Sequence, residues 1–213
     1  MGVVLWTLQP LYVLTEVLIG LHASADYSFA HSTVSDLGDT ACRQVRGDLL
    51  CSPGHAGMNA AFIWFGCTLA LGAILFGGRY LGGRYVAGRV GVAAAVLWCI
   101  SGLGSVGVGL FPVNEDPSIH GFVALPIFVA QPAALLLTAW GLRVATPRLA
   151  ATTAAVALAS AVGSIGFGLL VDRDVALIGA FERLALWPGY LWVSVIAISS
   201  VIGRKEDVRL NRA

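Results

Sequence analysis

Charged residues are scarce in this chain, and their scarcity excludes a water-soluble protein. Aspartate, glutamate, lysine and arginine make up 12% of the 213 residues, whereas hydrophobic residues make up 57%. Soluble globular chains carry about 25% charged residues. A soluble fold of this length has no means of hiding so much apolar surface from water. The composition therefore predicts a single domain, residues 1–213, embedded in a membrane.

The sequence also lacks the short motifs that indicate a particular reaction. It contains no His-Glu-x-x-His zinc motif, no Gly-x-Ser-x-Gly nucleophile turn and no phosphate-binding glycine loop. The net charge is only +1, which does not provide the basic surface that nucleic acid requires. No nucleic-acid partner is expected, and no known enzyme class is indicated.

Six long apolar runs are present instead. They cover residues 3–22, 57–76, 90–111, 121–142, 150–171 and 186–202. These lengths lie near the ~20 residues that an α-helix needs to cross a ~30 Å hydrocarbon core. Backbone polar groups in lipid must be hydrogen-bonded internally, so the runs predict an all-α integral membrane bundle of about six transmembrane helices.

The placement of arginine predicts how the bundle is oriented. Residues 77–89, the turn 143–148 and the tail from residue 204 carry nine of the thirteen basic residues. Cytoplasmic loops are enriched in lysine and arginine, so both termini are predicted to be cytoplasmic. Lys205 is the only lysine, and alanine, glycine and valine are abundant, which is typical of a GC-rich bacterial genome. The predicted location is the cytoplasmic (inner) membrane of a bacterium.

The opposite, non-cytoplasmic end collects most of the other ionisable residues. Nine of the twelve acids and all four histidines are predicted to lie there, and a long first loop, residues 23–52, lies there too. Loops of this length in compact domains usually have structure or function of their own. The bundle is therefore expected to have a polar cavity open to the non-cytoplasmic side.

Two cysteines of the long loop are expected to form a disulfide. Cys42 and Cys51 would meet in an oxidising exterior and close a short loop, which contributes about 2–3 kcal/mol. The eight residues between them do not match the close spacing of zinc-binding cysteines.

The first span has a second interpretation, as a cleaved secretory signal. Ala23-Ser24-Ala25 has the small-residue pattern of a cleavage site. However, no basic residue precedes the apolar stretch, and Gln9, Pro10 and Glu16 interrupt it. A retained first helix is the favoured interpretation.

Glu16 lies within the first predicted span. An unpaired charge there costs several kcal/mol, so the carboxyl needs a partner, a proton or a wet cavity. Gln9, Tyr12, Glu16 and Gly20 share one helical face, which is predicted to turn towards the bundle interior. Glu16 is thus a candidate catalytic residue, and the alternative is a structural hydrogen bond to another helix.

The second helix is predicted to begin at Ser52 and Pro53, as its N-cap and first residue. That start would place His55 and Asn59 four residues apart, on one face near the outer rim. Both are candidate ligand-binding residues, together with His31 of the long loop.

Three later segments add polar candidates. Between the third and fourth spans, Asp116 shortly precedes His120 at the start of a helix. Deeper in that helix, Gln131 precedes a proline, a combination often found where a helix lines a cavity. Glu182 and Arg183 precede the sixth span, where they are expected to pair with each other or the arginine to hold an anionic head group.

Small residues recur every fourth position on two of the spans. The two sets are Ser101, Ser105 and Gly109, and Ser160, Ser164 and Gly168. Small side chains at this spacing allow helix backbones to approach closely in lipid, so both stripes are predicted to be helix contacts.

Several of these segments together resemble a known family. Ser35-Asp36-Leu37-Gly38 after the first span, Ser52-Pro53 with Asn59, and Phe111-Pro112 followed by an acid and His120-Gly121 are similar to the prokaryotic membrane family catalogued as domain of unknown function 998. The resemblance covers nearly the whole chain. It implies a membrane architecture of six to seven helices and signature positions at Asp36, Asn59, Asp116 and His120, and it implies no reaction.

Two functions fit these residues. The first is acid–base chemistry on a lipid-like or isoprenoid small molecule, because carboxylates near apolar walls can acquire pKa values suited to proton transfer. Its candidate catalytic residues are Glu16, Asp36, Asp116 and His120. The alternative is a non-enzymatic lipid-binding, transport or assembly subunit. In both cases membrane lipids are the expected partners. Candidate ligand-binding residues are His31, His55, Asn59, Gln131, Glu182 and Arg183.

No cofactor is predicted, although the histidines leave a metal site as an alternative. Zinc accepts imidazole and carboxylate ligands. His31, His55 or His120 would have to meet Asp36, Glu115 or Asp116, and these residues are scattered along the sequence. Only folding would bring them together.

Overall fold

The computed structural model of the protein describes residues 1–24, 26–77, 88–171, 173 and 177–210, with side chains up to residue 202. Its α-helices follow one another along the chain as α1 (Gly2–Thr7), α2 (Pro10–Gly20), α3 (His55–Gly72), α4 (Gly88–Leu110), α5 (Pro117–Leu142), α6 (Pro147–Leu170) and α7 (Ile178–Leu210). A π-helical segment, Ala73–Gly77, extends α3.

Among the described residues, six helical stretches are long and apolar enough to cross a membrane, which confirms the predicted fold class. They are Gly2–Gly20, His55–Phe76, Gly88–Leu110, Pro117–Leu142, Pro147–Leu170 and Ile178–Ile202. Five of them begin within four residues of the predicted position. The sixth begins eight residues earlier than predicted, because Glu182 and Arg183 are buried inside the helix. Which side of a membrane each end faces stays a prediction, and the basic segment 78–87 and the side chains after residue 202 lie outside the described residues.

Proline and capping residues determine where most helices begin. Pro10, Pro117 and Pro147 occupy first-turn positions, where the missing N–H costs no helical hydrogen bond. The Asp116 carboxylate accepts a hydrogen bond from the backbone N–H of Ile119 at 2.9 Å and so caps α5. The predicted start of the second helix at Ser52 and Pro53 is wrong by two residues.

Gly54 is the N-cap residue of α3, and Ser52 has a different role. The Ser52 hydroxyl donates to the Leu37 carbonyl oxygen at 2.7 Å. This bond ties the beginning of α3 to the long loop. Sequence cannot distinguish a serine that caps a helix from one that bonds to a distant carbonyl.

The helices pack largely in chain order, with α3 against α4, α4 against α5, α5 against α6 and α6 against α7. The first two helices fill the gap between α3 and α7 and complete the ring. Trp6 is fully buried there, in edge contact with the Phe76 and Trp98 rings. Tyr12 lies 4.6 Å from Tyr190 between ring centroids. Gln9, Tyr12, Glu16 and Gly20 all face the interior, as predicted.

One end of the bundle, here called the loop face, carries residues 21–54. A 3₁₀ helix, Ser35–Gly38, and a hairpin of β1 (Arg43–Val45) and β2 (Asp48–Leu50) cover it. The predicted Cys42–Cys51 disulfide is present at the open end of the hairpin. The turn of the hairpin is formed by Arg46 and Gly47, at φ values of 49° and 87°. Such a turn normally contains Asn or Gly, so an arginine there is conformationally unfavourable.

The two predicted small-residue stripes behave differently. On α4, Ser105 donates to the Phe62 carbonyl oxygen at 2.9 Å, and Gly109 lies directly against the backbone of α3. On α6, Ser160 donates to the Ala185 carbonyl oxygen at 2.6 Å, which also confirms a close contact. At Gly168, an added Cβ would meet no atom of the described residues within 4 Å. The second prediction is therefore wrong at the loop-face end of α6, where the helices separate.

Adding one methyl group at the α3–α4 contact should destabilise the fold. A Cβ on Gly102 would lie 2.6 Å from the Gly66 carbonyl oxygen, whereas one on Gly121 would meet nothing. We expect Gly102→Ala to lower the free energy of unfolding by about 1–3 kcal/mol through overpacking. Gly121→Ala, the matched control, should be neutral or slightly stabilising. Thermal unfolding in detergent measures both, and equal midpoints for the two variants would contradict the packing described.

Candidate functional site

A buried ion pair joins the first and last spans near the loop face. Arg183 Nε lies 2.9 Å from Glu16 Oε1, and the two side chains are 6% and 0% exposed. The other carboxylate oxygen, Oε2, accepts a hydrogen bond from the Trp187 indole N–H at 2.7 Å. Glu16 thus has the partner that its depth in the span requires. The expected pairing of Arg183 with Glu182 is wrong, because the arginine points across the bundle to α2.

The same guanidinium group holds the long loop. Arg183 Nη1 donates to the carbonyl oxygens of Phe29 at 2.6 Å and Ser32 at 2.8 Å, and Nη2 donates to the Tyr27 hydroxyl. Five N–H donors in a fixed plane suit this fan of acceptors. With these partners around it, Arg183 does not line the cavity described below, so the structure does not place it as a head-group ligand.

Glu182, the neighbouring carboxylate, makes a second connection to the loop. It accepts a hydrogen bond from the Val34 backbone N–H, and its Oε1 lies 3.3 Å from the Ser35 hydroxyl oxygen. Together Glu182 and Arg183 hold residues 27–35 over the beginning of α7. This fixes the 3₁₀ helix that carries Ser35 and Asp36.

Asp36 is the centre of a charged cluster above the bundle. Its carboxylate accepts hydrogen bonds from the Thr33 backbone N–H at 2.6 Å, from Arg43 at 3.2 Å and from Arg46 at 2.5 Å. The contact with Asp36 gives a reason for placing an arginine at the unfavourable turn position 46. Arg43 also binds Asp39, Nε to Oδ2, at 2.5 Å.

His120 extends from the first turn of α5 to the loop. Its Nδ1 lies 2.8 Å from the Phe111 carbonyl oxygen, and its Nε2 lies 3.0 Å from the Ser35 hydroxyl oxygen. His120 is 7% exposed. Two of the predicted signature positions are therefore close together: Asp36 belongs to the 3₁₀ helix, and His120 contacts the residue before it, Ser35.

A cavity of about 740 Å³ begins at this cluster and runs down between α5 and α6. Its polar end is lined by Thr33, Ser35, Asp36, Arg43, Arg46, His120 and Glu182. Its walls are apolar and include Ala124, Leu125, Phe128, Val129, Ile165, Phe167 and Val171. The lining residues of α5 extend from Pro117 to Val129, which at a rise of 1.5 Å per residue is a length of about 18 Å.

The cavity is open at its side towards the outer surface of the bundle. Leu125, Val129 and Ile165 line it and are about 60% exposed. The rings of Phe128 and Phe167 stack at 4.7 Å between centroids and bridge the two helices within it. Gly121 and Gly168, one on each helix, keep the upper part wide, because neither has a neighbouring atom where its side chain would be.

The remaining predicted site residues lie outside this cavity. Asn59 donates to the Gly38 carbonyl oxygen at 2.9 Å, and Asp116 caps α5. His55 Nδ1 lies 2.9 Å from the Ser52 carbonyl oxygen. His31 Nδ1 lies 3.6 Å from Asp48 Oδ2, next to the turn of the hairpin. Glu16 is also absent from the lining.

Gln131 joins helices and does not line the cavity. It is fully buried and donates to the carbonyl oxygens of Ala185 at 2.6 Å and Leu186 at 3.1 Å. Pro188, which follows in α7, has no N–H to offer to the preceding turn. The amide of Gln131 therefore adds hydrogen bonds to α7 in the turn that precedes the proline, and the cavity role predicted for this residue has no support in the geometry.

Metal ligands do not gather within the described part of the chain. No group of three or more His, Cys, Asp or Glu side chains there is close enough to hold an ion. His31, His55 and His120 lie in different parts of the loop face. A metal site therefore stays an untested prediction without geometric support.

Sequence reasoning missed four side chains at the polar end of the cavity, those of Thr33, Ser35, Arg43 and Arg46. Ser35 belongs to a motif of the family resemblance, but no chemical role is predicted for it or for the other three. One feature of the sequence could have indicated the two arginines. Both lie between the cysteines of the predicted disulfide, and Arg46 precedes a glycine, as is typical of a turn. The apolar wall residues could not be predicted, because in the sequence they do not differ from other residues of the spans.

Removal of Arg183 should destabilise the protein and release the loop. Arg183→Ala would leave Glu16 as an unpaired buried carboxylate, which costs about 3–5 kcal/mol. We expect a lower unfolding midpoint and faster proteolysis within residues 21–54. Arg143→Ala is the control, because Arg143 is exposed and bonds only within its own helix end, to the Trp140 carbonyl oxygen. Equal stability of the two variants would contradict the role of the ion pair.

Asp39 should titrate at unusually high pH. Burial raises the pKa of its carboxyl to about 6, and the opposing effect of Arg43 is smaller. The folded state thus binds the proton more tightly than the unfolded state. This group contributes stability in acid, which is lost as the pH rises from about 4 to 6. Infrared difference spectra should show a carboxyl band titrating near pH 6 that is absent in Asp39→Asn, and a band titrating at the usual pH of an exposed aspartate would refute this.

Comparison with known proteins places this architecture in one family. No curated protein and no solved structure matches the chain. The family described as "Protein of unknown function (DUF998)" matches residues 9–199, which include all six apolar helical stretches in whole or in part. The resemblance seen in the short motifs is therefore confirmed. The chain belongs to this family of unknown function, DUF998.

Proposed function

We propose that the protein binds a lipid-like or isoprenoid amphiphile, with its polar head at the Asp36 cluster and its chain between α5 and α6. One observation supports this proposal above the others. A single cavity has ionisable and hydroxyl groups at one end and an apolar trough at the other. Its volume of about 740 Å³ lies in the ~300–1,000 Å³ range of small-molecule sites.

The polar end suits an anionic or polar head group. Each guanidinium has five N–H donors, and the carboxylates of Asp36 and Asp39 engage only part of those on Arg43 and Arg46. Phosphate and carboxylate are the groups that arginine binds best through paired donors. The Arg43 and Arg46 side chains are 33% and 19% exposed, so a ligand can reach them.

The side opening suits a ligand that arrives from the bilayer. Leu125, Val129 and Ile165 belong both to the cavity wall and to the outer surface of apolar spans. Lipid chains surround such a surface in a membrane. An acyl or isoprenoid chain can therefore enter between α5 and α6 without crossing water.

The loop face belongs, in this proposal, to the non-cytoplasmic side of a bacterial cytoplasmic membrane. The Cys42–Cys51 disulfide supports this, since disulfides persist in oxidising compartments. The distribution of arginine supports the same orientation. The head group would then be bound at the outer leaflet.

Transport has less support than binding. A transporter usually offers polar groups or broken helices at the membrane midplane. The buried polar groups Glu16 and Gln131 are used in an ion pair and in helix bridging. The lining residues of α5 extend only to Val129, about halfway along that helix.

Filling the cavity should abolish binding. The probe is a phosphatidylglycerol with a photoactivatable diazirine in its acyl chain, added to the protein in nanodiscs. Gly121→Phe and Gly168→Phe add a ring at two lining positions where a Cβ would meet no atom within 4 Å. We expect each to reduce crosslinking to α5 and α6 peptides about tenfold, equivalent to ~1.4 kcal/mol of binding.

Leu169→Phe is the matched control, because Leu169 neighbours Gly168, is 66% exposed and does not line the cavity. It should leave crosslinking unchanged. Arg46→Gly fits the turn geometry and should weaken capture of the head group. Crosslinking that is equal in wild type, both cavity-filling variants and the control would refute binding at this site.

A further inference from the structure

The Ser35 hydroxyl and the His120 imidazole form a pair at the polar end of the cavity. Ser35 Oγ lies 3.0 Å from His120 Nε2, within the ~2.6–3.2 Å at which a base can accept a proton. Ser35 is half-buried and both residues line the cavity, so a bound molecule can contact the hydroxyl. The two residues are 85 positions apart in the chain and meet only through the folding of the long loop.

The hydrogen bond on the far side of the ring determines which nitrogen is basic. The Phe111 carbonyl oxygen, 2.8 Å from Nδ1, can only accept, so Nδ1 carries the hydrogen in neutral His120. Nε2 then has a free lone pair directed at Ser35. The single hydroxyl hydrogen of Ser35 has two acceptors within reach, Nε2 at 3.0 Å and Glu182 Oε1 at 3.3 Å, and Nε2 is the nearer. This is the arrangement of a nucleophile, a general base and a group that orients the base.

We propose that Ser35 and His120 are a nucleophile and general base that cleave an acyl ester of a lipid held in the cavity. This inference rests on the proposed lipid-binding function and names a reaction for that site. An ester carbonyl is the group that an activated serine attacks, and lipid esters place this carbonyl between a polar head and an apolar chain. The cavity has the same order of polar end and apolar walls.

The reaction balances with water as the only co-reactant. Ser35 Oγ forms a bond to the ester carbonyl carbon while its proton passes to His120 Nε2. The carbon–oxygen bond of the leaving alcohol breaks, and the alcohol takes the proton from His120. Water then attacks the acyl-serine by the same route, which releases the fatty acid and restores the hydroxyl.

Nearby charges have defined roles in this step. Arg43 and Arg46 line the same end of the cavity, and in this proposal their positive charge stabilises the carbonyl oxygen as it becomes negative. Glu182 accepts from the Val34 N–H and lies 3.3 Å from Ser35, so it is a positioning residue for the segment that carries the nucleophile. Sequence motifs gave no sign of this pair because no Gly-x-Ser-x-Gly precedes it.

Ser164 provides an internal control. Ser164 lines the same cavity, and its hydroxyl oxygen is buried without a hydrogen-bond partner in the described part of the chain. It is therefore a serine of the same cavity with no base beside it. Modification of Ser35 and not of Ser164 is the selectivity that the pair predicts.

The test uses a long-chain alkyl fluorophosphonate on the full chain in nanodiscs. Attack by Ser35 forms an oxygen–phosphorus bond and expels fluoride, and the proton again passes to His120. We expect one adduct, mapped by peptide mass spectrometry to Ser35. Ser35→Ala should abolish it, His120→Ala should slow it at least a hundredfold, and Ser164→Ala should leave it unchanged.

The diazirine lipid is crosslinked in parallel, so that the two proposals fail separately. Wild-type protein that captures the lipid in the cavity but forms no Ser35 adduct overturns the nucleophile and leaves lipid binding intact. Wild-type protein that does not capture the lipid overturns the proposed function. An adduct that forms equally fast in His120→Ala overturns the role of the histidine, and an adduct on Ser164 overturns the selectivity of the pair. The wild-type result decides the nucleophile even if a variant does not fold.

Discussion

The Glu16–Arg183 ion pair is the contact on which the candidate site depends. A carboxylate within an apolar span and a guanidinium at the head of the last span are each costly alone. Their pairing directs the remaining guanidinium donors to the carbonyl groups of the long loop. The loop is consequently held against the start of α7, and Ser35 comes within reach of His120. The same arginine therefore both neutralises the buried carboxylate and positions the loop that carries Ser35.

The cavity arises from a gap in helix packing. Near Ser160 and Gly163 the last two spans are in close backbone contact. Towards the loop face, the small residue Gly168 meets no partner, and Gly121 on α5 leaves the other side open. Small residues often allow two helices to pack closely. At Gly121 and Gly168 the neighbouring helices are farther apart, so the absence of a side chain leaves an open space. The charged cluster lies at one end of that space and the walls are apolar, so the cavity has the polarity expected of a site for an amphiphile.

The sequence predicts the helical framework well and the site only in part. Six spans follow from hydropathy because lipid imposes one length and one polarity on every helix. The predicted start of the last span is wrong because hydropathy treats Glu182 and Arg183 as exposed charges and takes no account of the groups that they bind. Asp36 and His120 were found through motifs. Ser35 as a nucleophile was not, since its base comes from a distant helix and no local pattern encodes a contact across 85 residues.

The central claim is that a chain-bearing lipid occupies the space between α5 and α6 with its head at the Asp36 cluster. A density map of the full chain purified in native lipid nanodiscs tests it most directly. The account predicts an elongated density along α5 from Arg43 and Arg46 down to the Phe128–Phe167 stack. Side chains collapsed across this space, with α5 and α6 in contact along their whole length and no such density, would contradict it.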